Sequence, residues 1–205
     1  MPRRKQNQLL LLRVFIVAFG LLVLLAGGLY YRRQALNQEQ LREAQEAKQA
    51  ALQSKEKFIK VVAPLAQKAD KPYGLYPSVT IAQACLESNY GQSSLAKLYN
   101  NLFGVKGTDP NTSKVMTTSE YVNGHWKTIS GRFQIYDSYQ AAIQAHARLL
   151  AQGTTWNPNQ YQHVLQAKDW RSQAKALCQD GYATDPNYPS KLISLVEQFN
   201  LTKYD

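Results

Sequence analysis

The chain has 205 residues, which is enough for one domain of ordinary size and an appendage. A hydrophobic content of 44% and 13 tyrosines favour a globular protein over a disordered chain. The formal net charge of +10 would suit a nucleic acid, an anionic lipid surface or an acidic wall polymer. No zinc-finger spacing, glycine-rich phosphate loop or arginine-rich arm occurs, so we expect no nucleic-acid partner.

The chain begins with a basic segment, residues 1–8, that is followed by an apolar stretch over residues 9–31. Its single charge, Arg13, lies near enough to one end for the guanidinium to reach lipid headgroups. The uninterrupted part, residues 14–31, is at the lower end of the length that spans a bilayer as a helix. We predict a transmembrane signal anchor over residues 9–31. A signal peptide cleaved near Ala26 stays open, although the apolar run exceeds the usual length of a signal core.

Residues 32–57 are rich in Gln, Ala, Glu and Lys and contain neither Pro nor Gly. Their apolar residues form only a thin stripe, and no heptad pattern persists for three repeats. This composition predicts a solvated helical spacer. A globular domain is then expected over residues 58–205, with its first helix at residues 58–69.

The next stretch, residues 77–107, predicts a helix that ends in a single acidic residue. Pro77 suits the first turn of a helix, apolar residues follow at helical spacing, and Gly91 is a stop signal. Glu87 lies in the last turn, where the helix dipole disfavours a negative charge. Desolvation by apolar neighbours would raise its pKa further, so Glu87 is a candidate proton donor, the alternative being a solvated surface glutamate.

Residues 114–136 predict a β-hairpin. Two alternating segments, 114–122 and 125–136, flank Asn123-Gly124, which favours a type I′ turn. Helical patterns return after Ser138, a candidate N-cap, and recur at about 160–167, 170–180 and 189–199. The fold class that follows is α+β, mostly helical with one β-hairpin.

Cys85 and Cys178 are the only cysteines, and whether they pair as a disulfide or stay free thiols is open. The three histidines are scattered, and His146 is expected to be a satisfied interior or interface residue. Because no metal-binding spacing occurs, we predict no metal and no cofactor.

The segment IAQACLESNYGQSSLAKLYNNLFGVKG closely resembles the active-site segment of the bacterial glucosaminidase family, the peptidoglycan-cleaving endo-β-N-acetylglucosaminidases of autolysins and flagellar wall hydrolases. The resemblance extends over about residues 58–200 and implies a lysozyme-like fold. It places the family's catalytic acid on Glu87. It also implies that residues 1–8 are cytoplasmic and that the catalytic domain is extracellular, facing the cell wall from a single-pass anchor in the bacterial membrane.

Two further matches imply catalytic residues. Thr118 to Gly124 fits the family's T-x-E-x-x-N-G hairpin pattern, in which the glutamate, here Glu120, is a proposed second carboxylate. If Glu120 does not serve, the 2-acetamido group of the substrate could assist at the anomeric carbon. Gly181 to Pro186 matches the family's GYATDP, which makes Tyr182 a candidate for orienting substrate or stabilising the transition state, whereas Asp185 is expected to cap a turn.

The resemblance also implies a sugar-binding cleft, in which amides and aromatic rings would contact the substrate. Its expected members are Asn100, Asn101, Phe103, Tyr121 and Tyr136. The family's F-R-x-Y pattern reads Phe133-Gln134-Ile135-Tyr136 here, so the arginine is missing, and Arg132 would point to the other strand face.

The sequence therefore predicts a membrane-anchored peptidoglycan hydrolase that cleaves the β-1,4 bond between N-acetylglucosamine and N-acetylmuramic acid. Its expected partners are peptidoglycan glycan strands and the lipid bilayer. A muramidase or lytic transglycosylase, and a catalytically inactive wall-binding scaffold, are the alternatives. Stem-peptide preference and oligomeric state do not follow from the sequence.

Overall fold

The structure, a computed structural model, describes residues 3–122 and 125–205, without the side chains of residues 3–10, 12, 18, 23, 26, 118–122 and 125–129. The helices are α1 (Arg3–Asp70), α2 (Pro77–Ser88), α3 (Ser94–Tyr99), α4 (Tyr139–Gln152), α5 (Gln162–Gln166), α6 (Trp170–Gln179) and α7 (Tyr188–Gln198). Short 3-10 helices occupy Lys71–Tyr73 and Leu201–Tyr204, and the strands are β1 (Ser113–Val122) and β2 (His125–Gln134). The described fold is thus mostly helical with one two-stranded antiparallel sheet, as predicted.

The chain divides into two compact units, Met1–Gln53 and Ser54–Asp205. In the first unit, every described large apolar side chain of residues 11–31 is exposed. By length and composition, one described helix is apolar enough to cross a membrane, with a mean hydropathy of 2.3 in its most apolar window. The helical patterns predicted for residues 32–57 and 58–69 belong to one continuous helix, α1. Neither Gly nor Pro separates the two patterns, so nothing local ends the helix between them.

The core of the second unit is built around α2. Ten of the twelve residues of this helix are buried, and it packs against α6, α7 and the last 3-10 helix. A helix that is surrounded by protein on every side must be apolar or hydrogen-bonded all round. The exceptions lie in its last turn, where Leu86 is half-buried and Glu87 is exposed. The central helix therefore opens to solvent at the predicted catalytic residue.

The predicted hairpin is confirmed. Strands β1 and β2 pair in continuous antiparallel register from Ser113 opposite Gln134 to Val122 opposite His125. The Asn123-Gly124 turn itself lies outside the described residues. β2 ends at Gln134 rather than at the predicted Tyr136, because Ile135 and Tyr136 instead donate backbone hydrogen bonds to Thr112 and Tyr99.

Local capping explains where the later helices begin. The Ser138 hydroxyl accepts a hydrogen bond from the Ala141 N–H at 3.2 Å at the start of α4, which is the predicted cap. Asp169 and Ser172 form a reciprocal capping box at the start of α6.

The two cysteines are free thiols, so the disulfide alternative is wrong, and burial raises the pKa of the Cys85 thiol to about 12.

Candidate active site

Glu87 owes its position to an abrupt end of α2. The three residues that follow Ser88 all adopt left-handed backbone angles, with φ of 49° at Asn89, 55° at Tyr90 and 73° at Gly91. Two hydrogen bonds hold this turn, from the Tyr90 N–H to the Cys85 carbonyl at 2.9 Å and from the Gly91 N–H to the Ser88 hydroxyl at 2.7 Å. The turn carries the chain away from the end of α2, so that the side chain of Glu87 borders an open space.

That space is a cavity of about 1060 Å³, here called the inner cavity. Its charged lining residues are Glu87, Asp185, Lys106 and Lys191. Its aromatic lining residues are Phe103, Trp156, Tyr161, Tyr182 and Tyr188. A concave site with many aromatic rings and a few convergent polar groups is the usual form of a ligand-binding site.

The electrostatics of Glu87 suit a proton donor. The carboxyl group opens onto the cavity, yet the walls around it remove part of its hydration, and this desolvation raises its pKa above the usual range. A hydrogen bond from the Tyr188 hydroxyl and the nearby charge of Lys191 both act in the opposite direction, and desolvation prevails. A carboxyl group with a raised pKa keeps its proton closer to neutral pH, as general acid catalysis requires.

Tyr182 lies at the centre of an aromatic cluster beside Glu87. Its ring stacks on Tyr188 with centroids 6.1 Å apart, lies 6.2 Å from the Tyr161 ring, and meets the edge of His146 at 5.7 Å. Burial raises the pKa of Tyr182, and the charge of Glu87 raises it further. Burial also raises the pKa of Tyr188. Both phenols therefore stay protonated and can donate hydrogen bonds.

The glucosaminidase family model, described as mannosyl-glycoprotein endo-beta-N-acetylglucosaminidase, matches residues 63–201 and so includes α2 and the aromatic cluster. The chain belongs to the glucosaminidase family.

Individual relatives of this chain carry two different activity names. The exo-glucosaminidase LytG of Bacillus subtilis (strain 168) is 43% identical over 148 residues, which are 72% of this chain and 52% of the relative. A probable N-acetylmuramidase of Lactococcus lactis subsp. lactis is 40% identical over 190 residues, which are 89% of this chain and 41% of the relative. This glucosaminidase-family chain thus spans about half the length, or less, of the two curated relatives.

Solved structures share the fold. The catalytic domain of the autolysin Auto from Listeria monocytogenes is 38% identical, with a TM-score of 0.67 over 74% of this chain and 88% of that one. A truncated glycoside hydrolase domain of FlgJ from Salmonella typhimurium is 35% identical, with a TM-score of 0.54 over 72% of this chain and 97% of that one.

Three residues predicted for the site of this glucosaminidase-family chain lie together. Glu87, Phe103 and Tyr182 all line the inner cavity. The backbone of Glu120 pairs with Lys127 and that of Tyr121 with Trp126 in the hairpin, but the side chains of Glu120 and Tyr121 lie outside the described part of the chain. Tyr136 is half-buried, and it lies close enough to Tyr182 to contribute to the raised pKa of Tyr182. The Asn100 side chain donates a hydrogen bond to the Tyr136 carbonyl at 2.9 Å.

The prediction that Asn101 binds sugar is wrong. This residue is only 1% exposed, and its Nδ2 donates to the carbonyls of Val105 and Gln134, each at 2.9 Å. Its Oδ1 accepts from the N–H groups of Phe103 and Val105. The amide is therefore saturated by backbone groups, and its role is to fix the loop that carries Phe103 to the cavity wall.

His146 also differs from expectation. It is interior, as predicted, and it stacks on Phe103 with ring centroids 4.0 Å apart. However, neither ring nitrogen has a hydrogen-bond partner among the described residues. Burial lowers the pKa of His146 to about 3, so the ring is neutral and supports Phe103 and Tyr182 as an aromatic spacer.

Asp185 has the turn role that its sequence predicts. Its carboxylate accepts from the Asn187 N–H at 2.9 Å and from the Lys191 ammonium at 2.7 Å, and these groups lower its pKa. Arg132, as expected, does not replace the missing arginine, because its guanidinium donates to Ser113. In the described part of the chain, no group of three His, Cys, Asp or Glu could hold a metal ion.

Sequence reasoning missed Tyr188, Lys191 and Trp156. The five-residue connection between Tyr182 and α7 was the available signal for Tyr188, because so short a loop returns the start of the next helix to the same cavity. Lys191 follows Tyr188 by three residues, which places the two side chains on one helix face.

Proposed function

We propose that this protein is a membrane-anchored peptidoglycan hydrolase that cleaves the β-1,4 bond between N-acetylglucosamine and N-acetylmuramic acid. The observation that carries the proposal is Glu87, a single carboxyl group of raised pKa at the open end of a buried helix, facing a cavity rich in aromatic rings. Membership of the glucosaminidase family and relatives named exo-glucosaminidase LytG and peptidoglycan hydrolase FlgJ support it.

Glu87 protonates the glycosidic oxygen as the bond to the leaving sugar breaks. The Tyr188 hydroxyl, hydrogen-bonded to Glu87, holds the carboxyl group toward the cavity. As the proton leaves, Lys191 stabilises the carboxylate that forms. Tyr182 donates a hydrogen bond to the substrate, and its ring packs against Tyr188.

The anomeric carbon needs a second group, for which we propose two routes. Glu120 on the hairpin acts as base or nucleophile, or the 2-acetamido group of the bound sugar attacks its own anomeric carbon. Asp185, the other described carboxylate of the inner cavity, is unsuited to this task because it is held by Lys191 and the Asn187 N–H. Glu120→Gln distinguishes the routes, since only the first loses most activity.

The first unit supplies the anchor in this proposal. A helix that exposes large apolar side chains from Leu11 to Tyr31 is costly in water and stable in a bilayer. With residues 1–8 in the cytoplasm, Ser54–Asp205 faces the cell wall, and its surplus of basic residues favours approach to anionic wall polymers.

A muramidase is the second candidate, because relatives named probable N-acetylmuramidase match 89% of this chain. Digestion of purified peptidoglycan by the full chain in mild detergent, followed by borohydride reduction and mass spectrometry, distinguishes the two. Fragments that end in N-acetylglucosaminitol support the proposal. Fragments that end in reduced N-acetylmuramic acid or a 1,6-anhydro sugar assign the protein to the second candidate or to the lytic transglycosylases.

A further inference from the structure

We propose that a second cavity beside the inner one binds a further sugar ring of the glycan strand, with Trp156 as its stacking platform. This inference rests on the proposed function, because it requires a saccharide polymer as substrate. The second cavity, here called the outer cavity, has a volume of about 540 Å³. It shares Trp156, Gln160 and Gly181 with the inner cavity, so the two adjoin along these residues.

Trp156 is the first observation. The indole is 79% exposed, and it is the most exposed large apolar side chain among those described in residues 54–205. An isolated tryptophan in water leaves a large apolar face uncovered. Because this ring lines both cavities, a ligand that leaves the inner cavity past Gln160 would lie against it.

The loop that presents Trp156 is held in a defined shape, which is the second observation. Thr154 and Asn157 exchange backbone hydrogen bonds at 3.0 and 3.2 Å across Trp156, and the Thr154 hydroxyl donates to Gln160 at 2.9 Å. Gly153 adopts a φ of 72°, and a Cβ there would lie 2.4 Å from the carbonyl oxygens of Asn157 and Pro158. These contacts hold the loop backbone in a defined shape at Trp156, where the two cavities meet.

The remaining lining of the outer cavity has the chemistry of a sugar site. Three exposed amide side chains, Asn159, Gln162 and Gln179, line it and make no side-chain hydrogen bond to the described part of the protein. The lining carboxylate Asp180 is already engaged within the protein, with its Oδ1 2.6 Å from the His163 Nδ1 and its Oδ2 accepting from the Val164 N–H at 3.1 Å. Amides that can both donate and accept, beside an aromatic residue and without Lys or Arg among the described lining residues, suit hydroxyl and acetamido groups better than an acidic stem peptide.

Binding tests the inference directly. The full chain carrying Glu87→Gln, which prevents turnover, is titrated with a peptide-free octasaccharide from wall glycan and with a tetrasaccharide. We expect Trp156→Ala to weaken octasaccharide binding about ten-fold more than tetrasaccharide binding, because only the longer ligand has a sugar ring that stacks on the indole. Trp156→Phe should retain most of the octasaccharide affinity and lose the change in tryptophan fluorescence that accompanies binding.

The matched control is Leu98→Ala, which removes an exposed side chain, 67% accessible, that lines neither cavity. Equal weakening of both oligosaccharides by Trp156→Ala, or no weakening, would overturn the inference. Length-dependent weakening that appears only with peptide-bearing strands would assign the outer cavity to the stem peptide instead. Because this readout is binding without cleavage, it is independent of which bond the active enzyme cuts.

Discussion

At the scale of single residues, the site depends on how its neighbours set the proton affinity of Glu87. Desolvation raises the pKa, whereas Tyr188 and Lys191 lower it. A general acid works only while protonated, so the activity of this enzyme should fall on the alkaline side as pH rises through that raised pKa.

Lys191→Met should move this alkaline limb to higher pH. The substitution removes a positive charge that favours the Glu87 carboxylate, and it releases the negative charge of Asp185 nearby. The pH profile of kcat/KM on peptidoglycan fragments measures the shift. Lys175→Met, on the exposed surface of α6, is the control, and identical profiles for all three proteins would contradict the assignment of Lys191.

A second titratable residue, Asp70, should govern stability instead of catalysis. It is fully buried, and among the described residues neither carboxylate oxygen has a hydrogen bond of ordinary geometry, although the Thr80 hydroxyl lies close enough to interact with the carboxyl group. Burial raises its pKa from 3.8 to about 7, with Thr80 offsetting part of the effect and Asp205 adding to it. Since the folded state holds this proton more tightly than the unfolded chain, the contribution of Asp70 to stability is fully present below pH 3.8 and is lost as pH rises through about 7.

Asp70→Asn should therefore stabilise the protein at pH 8, by on the order of 4 kcal/mol, and by much less at pH 5. Chemical unfolding followed by circular dichroism at both pH values measures the difference. The exposed Asp137→Asn provides a control. The same gain at both pH values would show that the ionisation of Asp70 does not limit stability.

At the scale of secondary-structure elements, the decisive feature is the end of α2. Gly91 has a left-handed backbone, and a Cβ at this position would lie 2.7 Å from the Phe58 ring. The position thus demands glycine for two reasons, conformation and space.

Gly91→Ala should reduce the free energy of unfolding by about 2–4 kcal/mol and should lower activity, because the turn fixes Glu87. Gly74→Ala separates the two causes. Gly74 is also left-handed, with φ of 67°, but no atom of the described residues would lie within 4 Å of a Cβ there, so only about 1 kcal/mol should be lost. Urea unfolding measures both variants, and equal losses would show that the Phe58 contact has no effect.

Local signals explain which elements the sequence predicted. The Asn-Gly pair between alternating segments indicated the hairpin, and Ser138 indicated the start of α4, because each signal acts within a few residues. The sequence did not predict that α1 continues from Arg3 to Asp70, since a helical spacer and a first domain helix have the same local pattern.

The site was predictable only where a residue's role follows from its own segment. The placement of Glu87 at the open end of a helix met that condition, since a lone carboxylate at a helix end is visible in one stretch. Asn101 did not, because its four hydrogen bonds go to backbone groups that include Gln134, 33 residues away. Trp156 reaches the cavity through tertiary packing, which no local pattern encodes. For Tyr188 the only available signal was the short connection that returns the start of α7 to the cavity.

At the scale of the whole molecule, the proposed anchor determines where the enzyme can act. Single-pass attachment would hold the catalytic unit near the membrane surface and restrict it to glycan strands within reach of residues 32–57.

The anchor predicts that the chain stays uncleaved in cells. Mass spectrometry of protein purified from membranes should find peptides from residues 9–31, and alkaline carbonate should not release the protein. A mature chain that begins near Ala26 and is found in the medium would contradict the anchor and support a cleaved signal peptide.

The central claim is that Glu87 supplies the proton that breaks the glycan strand. The most direct measurement compares the full chain with its Glu87→Gln variant for release of new reducing ends from purified peptidoglycan, with wall binding and thermal unfolding measured in parallel. We predict that Glu87→Gln lowers the rate about 10²–10⁴-fold while binding and unfolding stay unchanged. Equal rates would contradict the role of Glu87, and wall binding by both proteins without any release would show that the fold serves as a scaffold instead of an enzyme.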